Sequence, residues 1–304
     1  MSEKQWGIKV IKSEGEATRR RLINSGLFDS RLKPHSEGDF LVFPVKNEDK
    51  SDGEFFFKKR TEKREPARHE LIGGIAVMQE DNPSEAYYLL NSRPVIHTVI
   101  YPETPVSGEY RTKDFKVLAG KNTTKTNYVE YNNRFVIDLS VAYFSARLAN
   151  ERQRIVGLMK EKERVLDMFA GVGPFPIILS DKASVIYAGD INPGAVCLMR
   201  GNIALNRKKN IIPMLADALS LGKILKSHSF DRIIMNLPMT SSEFLDVAFL
   251  LCKKGGTIHY YTLQSEEGEM LDILRKYTSG KISERIVRSY SPHQHHAVYD
   301  ICCE

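Results

Sequence analysis

The chain has 304 residues, of which 42% are hydrophobic and 27% charged, and carries a net charge of +6. That length suggests about two domains with cores large enough to need no staples, and the composition excludes wholesale disorder. No run approaches the ~18 consecutive apolar residues of a membrane helix, and the polar start Met1-Ser2-Glu3-Lys4 carries no signal-peptide core.

The first segment, 1–68, carries a net charge of +4. A helix is expected around Glu16–Ile23, ending near Gly26, and a strand over Asp39–Val45. Lys46–Arg68 is nearly devoid of apolar residues except Phe55-Phe56-Phe57, which reads as a linker with one strand-like island. A second unit, 69–138, opens with a strand at Leu71–Met78 and a helix around Ser84–Asn91. Strands follow at Val95–Tyr101 and Tyr110–Leu118, then a strand pair over Asn127–Leu139 that turns at Asn132-Asn133. Net charge is −5 over 69–110, +6 over 111–164 and +1 over 165–304. The basic surplus at the start and in the middle favours a polyanion such as RNA.

From 139 the chain alternates strands and helices. Strands are expected at Arg164–Phe169, Ser184–Asp190, Ile211–Leu215, Phe230–Asn236 and Thr257–Tyr261, with a helix over Asn192–Asn206. Unbroken apolar strands separated by helices predict an α/β fold with a doubly wound, Rossmann-like parallel sheet, preceded by the two small α+β domains. Cysteines at 197, 252, 302 and 303 form no CxxC pair, so a reduced, cytoplasmic compartment is the simple expectation.

The strongest local signal is Val165-Leu166-Asp167-Met168-Phe169-Ala170-Gly171-Val172-Gly173-Pro174-Phe175. Glycines after a parallel strand let the backbone turn tightly against a ligand. A dinucleotide fingerprint would want a third glycine where Pro176 stands, and Asp167 would repel a pyrophosphate. Asp190 ends the next strand, where it can accept from ribose hydroxyls, and Asp217 follows the third, placed for an adenine amino group. Three acidic positions after three successive strands describe an S-adenosylmethionine site. It is expected to use Asp167, Phe169, Gly171, Gly173, Asp190, Ile191, Asp217 and Ala218, with Asn236 at its edge. No metal-ligand cluster is evident. His293, His295 and His296 lack a defined ligand spacing and read as a solvated loop.

With these residues in hand, the chain resembles the archaeal and eukaryotic tRNA (guanine-37) N1-methyltransferases, most of all the archaeal form with a small N-terminal domain. The anchors are Tyr143-Phe144-Ser145-Ala146-Arg147-Leu148-Ala149-Asn150-Glu151-Arg152, the glycine loop, Asp190-Ile191-Asn192-Pro193, and Met235-Asn236-Leu237-Pro238 with Glu243-Phe244-Leu245. Gly108-Glu109-Tyr110-Arg111 with Phe115 also looks like the family's segment ahead of the catalytic domain. Ala146 stands where the family usually has proline, which removes no chemical group.

The resemblance implies methyl transfer to N1 of the guanine 3′ to the anticodon. Guanine N1 carries a proton, and its loss puts charge on O6, so the reaction needs a base near N1 and donors near O6. By resemblance Glu151 is the base and Arg111 stabilises O6. Arg147 is assigned to tRNA or base positioning, Arg152 to the cofactor's carboxylate edge, and Tyr143 and Phe144 to an aromatic wall. Asn236 and the Pro238 backbone would meet a base edge, and Met239 lacks the stacking ring of amino methylases. Arginines 147 and 152 beside Glu151 would weaken it as a base until substrate engages them. The implied partner is tRNA, with 1–68 recognising its body, 69–138 connecting, and 139–304 forming the methyltransferase domain of a monomer. The rivals are aminocarboxypropyl transfer, as in related wyosine-pathway enzymes, and a tRNA-binding homologue without catalysis. A NAD-linked oxidoreductase is disfavoured by Pro176 and Asp167.

Overall fold

The computed structural model describes residues 2–60, 66–105, 108, 110–239 and 241–304. The chain divides into two compact units, Met1–Glu65 and Pro66–Glu304. Among the described residues no helix is long and apolar enough to cross a membrane.

The first unit is an antiparallel sheet with one helix. Its strands are β1 (Ser2–Ile11), β2 (Leu32–Lys33), β3 (His35–Glu37), β4 (Phe40–Pro44) and β5 (Gly53–Lys59), in the order β2-β5-β1-β4-β3. In β1, Trp6, Ile8 and Val10 alternate with polar residues and pack with Leu22 of helix α1 (Gly15–Asn24) and with Phe43. That period of two turns one face of β1 to the core, and pairing with both β4 and β5 makes it the central strand. The Phe55–Phe57 island is β5, paired with β1 from Ser2↔Lys58 to Gly7↔Gly53, with Phe57 fully buried. The strand-like island expected inside the linker is therefore an integral strand of the sheet; residues 61–65 of that stretch lie outside the described residues.

The second unit begins with a four-stranded sheet, order β6-β7-β8-β9, of β6 (His69–Ile72), β7 (Ile75–Met78), β8 (Thr98–Pro102) and β9 (Phe115–Gly120). Helix α2 (Pro83–Ser92) makes the crossover between the parallel pair β7 and β8, and the Asn82 side chain caps it by accepting from Glu85 N. The single strand expected over Leu71–Met78 is instead a hairpin. Gly73 turns with φ +56°, and a Cβ there would come within 2.1 Å of Asn127 O, so only glycine fits. A second hairpin, β10 (Lys125–Glu130) and β11 (Asn133–Asp138), turns through positive φ at Tyr131 and Asn132, one residue before the expected position.

Helix α3 (Ala149–Leu158) then leads into the main layer. Its elements are β12 (Glu163–Asp167), α4 (Pro174–Leu179), β13 (Ala183–Asp190), α5 (Pro193–Leu205), β14 (Ile211–Leu215), α6 (Leu221–Ile224), β15 (Phe230–Met235), α7 (Leu245–Leu251), β16 (Cys252–Gln264), α8 (Leu271–Leu274), β17 (Ile282–Ser291) and β18 (Gln294–Cys302). The seven-stranded order is β14-β13-β12-β15-β16-β18-β17, parallel from β14 to β16 and closed by the antiparallel β18 and β17. The expected doubly wound sheet is present. The core runs without a break across the boundary expected at 138/139. Phe135, Ile137 and Leu139 share one cluster with Val165, Ile177 and Ile186. The fully buried Asn202 of α5 also ties in β11, accepting from Val136 N at 2.7 Å and donating to Val136 O and Val172 O at 3.1 and 3.0 Å.

Candidate active site

The sheet order reverses between β12 and β15, so the loops leaving their carboxyl ends diverge and open a crevice. The loop after β12 turns through Gly171 at φ +56° and Gly173 at φ +90°. Gly171 N donates to Asp190 Oδ2 at 2.7 Å and Asn192 N to Asp190 Oδ1 at 2.9 Å, so the carboxylate after β13 holds the glycine loop in shape. A Cβ at Gly173 would press on Met199 Cγ at 3.0 Å. Asn192 caps α5 by accepting from Gly194 N and Ala195 N, which fixes the loop after β13.

These loops wall a cavity of about 550 Å³. Of the expected cofactor set, Phe169, Gly171, Asp190 and Ile191 line it, as do Asp217, Ala218 and Asn236; Pro238 lines it too. Asp217 Oδ1 accepts from Leu219 N at 3.0 Å and leaves Oδ2 for a ligand. Pro238 O accepts from Leu263 N at 3.0 Å, which pins the Asn236-Leu237-Pro238 turn to β16. Asp167 is buried beneath the loop. Its Oδ1 accepts from Phe169 N at 3.1 Å, while Oδ2 is buried with no partner. Burial, with the nearby Asp190 charge, pushes Asp167 up to about 8 against the pull of that N–H. An orphaned carboxyl oxygen under a glycine loop is suited to a cationic amino group and unsuited to a phosphate, so this donor set fits an adenosine-type ligand bearing an amino acid.

Helix α3 departs from expectation at two residues. Arg152 is 1% exposed and its fork is filled: Nε and Nη2 donate to Glu130 at 2.7 and 2.5 Å, with the Ser145 carbonyl close behind. It borders the cavity but is committed to a buried ion pair, which corrects its expected role at the cofactor's carboxylate. Glu151, also buried, is gripped by neither Arg147 nor Arg152. Arg154, three residues on and on the same helix face, donates to both of its oxygens at 2.9 and 2.7 Å, and Tyr261 Oη donates to Oε1 at 2.7 Å. Arg154 reaches on to Asp300 at 2.5 and 3.0 Å. Burial disfavours the Arg154 charge, but the two carboxylates outweigh it and hold its pKa above the ordinary value. Asp300 in turn binds His259, which meets Arg232 and, through it, Glu163. Burial raises Asp300, yet His259 and Arg154 hold it well below the usual carboxylate range.

A second wall is basic and aromatic. Arg111, at φ +52°, lines the cavity with the half-exposed Tyr143 and the buried Phe144. Burial lowers the Arg111 pKa, opposed by Tyr143 and Tyr290 nearby. Phe144 stacks edge-on to Tyr128 at 5.1 Å. Arg147 pairs with Glu70 at 3.2 Å and is half-exposed. Of the Gly108–Arg111 segment, Glu109 lies outside the described residues. The 3₁₀ turn Ala146–Leu148 forms without the family's proline.

The hairpin β17–β18 supplies residues that sequence reasoning missed. Arg288, Tyr290 and His296 line the cavity. The solvated-loop expectation holds for the exposed His293 at the turn and fails for His296, which lies in β18, 2% exposed, with neither ring nitrogen partnered. Burial and the Arg288 charge push it down to about 4. The signal was available in the short apolar run Ala297-Val298-Tyr299, flanked by His296 and Ile301, which is consistent with a buried strand. Among the described residues no cluster of metal-ligating side chains occurs.

A parallel sheet with an antiparallel edge pair, a glycine loop after its first strand and carboxylates after the next two defines the class: a Rossmann-like methyltransferase. Residues 126–285 match the TRM5/TYW2 methyltransferase domain, and residues 7–53 match the tRNA methyltransferase 5 N-terminal domain. The chain belongs to the TRM5/TYW2 methyltransferase family. It is 34% identical to the tRNA (guanine(37)-N(1))-methyltransferase Trm5b of Pyrococcus abyssi, over 96% of this chain and 97% of that one. The tRNA(Phe) (4-demethylwyosine(37)-C(7)) aminocarboxypropyltransferase of Methanocaldococcus jannaschii is 31% identical over 77% of this chain and 96% of its own. The crystal structure of Pyrococcus abyssi Trm5b superposes with a TM-score of 0.78 at 32% identity, covering 98% of this chain and 99% of that one.

Proposed function

We propose that the chain is a tRNA (guanine(37)-N1)-methyltransferase using S-adenosylmethionine. The observation that carries this is the end-to-end match. The N-terminal unit matches the tRNA methyltransferase 5 N-terminal domain, and the Pyrococcus relative aligns over 96% of the chain, whereas the aminocarboxypropyl relative reaches 77%. S-adenosylmethionine, when bound, supplies an electrophilic methyl on a cationic sulfur.

Asp167 and Asp190 would bind the cofactor's amino group and ribose, and Asp217 its adenine. The target guanine has to leave its stack to reach a cavity at the sheet edge, and Tyr143 would then face it. Arg111, always charged, would stabilise O6 as N1 loses its proton. Asn236 and the pinned Pro238 backbone would set the base edge. Glu151 would take the N1 proton after Arg154 and Tyr261 release it. Asp300, which already binds the other side of Arg154, is the acceptor that would keep the guanidinium when they do. Arg152 would keep α3 seated through Glu130, and Arg147 would exchange Glu70 for RNA. The basic balance over 111–164 supports tRNA as partner. The same reading places the enzyme in the cytoplasm, as a monomer, with its four cysteines free.

Mass mapping of nucleosides from an unmodified tRNA transcript, incubated with enzyme and cofactor labelled either in the methyl or in the carboxyl group, tests it. Methyl label at N1 of the guanine 3′ to the anticodon is expected. Carboxyl label on the RNA would establish aminocarboxypropyl transfer instead, and no label in either arm would leave a tRNA-binding protein.

A further inference from the structure

Four side-chain nitrogens of the C-terminal hairpin are buried without a partner: Nδ1 of His295 and, on two residues that line the cavity, both ring nitrogens of His296 and Nε of Arg288. The two residues face each other across β17 and β18, in register. An orphaned buried polar group carries an uncompensated desolvation cost, and three of the four sit on two residues that line one cavity. Arg288 can only donate, and a neutral imidazole offers one donor and one acceptor. Burial beside a guanidinium keeps His296 neutral. A cationic cofactor is repelled by Arg288 and attracted by the carboxylates under the glycine loop, so the ligand of this wall is something else, rich in acceptors.

We propose that His296 and Arg288 hold the target nucleobase by its paired acceptors, guanine O6 and N7. The inference rests on the function proposed above and adds recognition residues to it; both lie beyond residues 126–285 of the methyltransferase-domain match. Adjacent O6 and N7 acceptors are what a donor pair meets on guanine. Donors at O6 also strengthen as N1 loses its proton, so the same contacts accelerate the reaction. The position is suited to this. The His296 ring lies 5.6 Å from that of Tyr261, whose hydroxyl donates to Glu151, so the hairpin places base recognition one side chain from the candidate base. Arg288 lies over the Tyr290 ring at 5.9 Å, which steadies its planar fork toward the cavity.

The test pairs side chains with base atoms. Single-turnover methylation and KM are measured for the wild type, His296→Leu, His296→Gln and Arg288→Met. The transcripts carry guanine, 7-deazaguanine or 6-thioguanine at the target position. His296→Leu and Arg288→Met should slow methylation of guanine about tenfold each, the worth of one hydrogen bond, without changing cofactor affinity, and His296→Gln should restore part of it. The wild type should lose a similar factor on at least one analogue, and the variants should be blind to that same replacement. Arg288 is half-buried, so its variant serves if His296→Leu misfolds. Wild-type indifference to both analogues, or variants that lose equally on all three bases, would overturn the proposal. A wild type that methylates no transcript would overturn the proposed function instead.

Discussion

Asp167 carries a consequence that can be measured as protons. Its pKa stands at about 8 against an ordinary value of 3.8. A carboxyl raised in this way holds a proton in the folded protein that the unfolded chain has lost. Its contribution to stability is therefore full below about 4 and declines as pH rises toward about 8. A cationic ligand favours the ionised form. Binding the cofactor at pH 7 should release about one proton from this site, read by titration calorimetry in buffers of different ionisation enthalpy. Asp167→Asn should abolish the release, and a wild-type enzyme that binds with no proton exchange would exclude this account of the loop. Glu151→Gln should leave cofactor affinity intact and slow methylation by about 100-fold or more, the usual scale for a lost general base. Near-wild-type turnover would remove Glu151 from that role.

Elements explain why these side chains stand where they do. Asn202 stitches α5 to β11 and to the glycine loop through the carbonyls of Val136 and Val172. Asn202→Ala would leave buried backbone groups unpaired, at about 1–3 kcal/mol for each, so denaturant unfolding should show a loss of that order and cofactor binding should weaken with it. Gly173→Ala should cost roughly 1–2 kcal/mol of backbone strain at its positive φ and displace Met199; unaltered stability would mean that the loop relaxes freely. At this scale sequence reading did well where periodicity was clean and failed where a strand was short or half-charged. The parallel strands of the main sheet each carry an apolar run, Val165-Leu166 in β12 and Ile233-Ile234-Met235 in β15 among them, and were legible. β1 alternates Lys and Gln with Trp6, Ile8 and Val10 and did not announce itself as sheet, whereas the three phenylalanines of β5 showed only as a strand-like island inside a charged run. The Gly73-Gly74 pair reads as tolerable within a strand until the nearness of Asn127 shows that it must turn.

At the scale of the whole molecule, each unit has its own hydrophobic core. Residues 66–304 should therefore fold without residues 1–65 and unfold cooperatively. On the proposed function, that truncation should weaken tRNA affinity well before it slows single-turnover chemistry at saturating RNA; unchanged affinity in a filter-binding titration would remove the recognition role of the first unit. Full-length binding should also fall steeply with salt, because the basic segments displace counterions from phosphates.

What the sequence by itself determined is what short-range chemistry dictates: the alternation of strands and helices, the glycine loop, the carboxylates closing successive strands and the Asn-Leu-Pro turn. Each of those is a local pattern in which a strand hands over to a turn, and strand ends in a parallel sheet are where ligands bind. The tertiary structure decided partnership. Glu151 answers to Tyr261, 110 residues away, and Arg154 to Asp300, 146 residues away. Arg152 is spent on Glu130, and His296 faces the cavity. Such pairs depend on sheet register and on which helix face meets the core, and one residue's difference in either would exchange every partner.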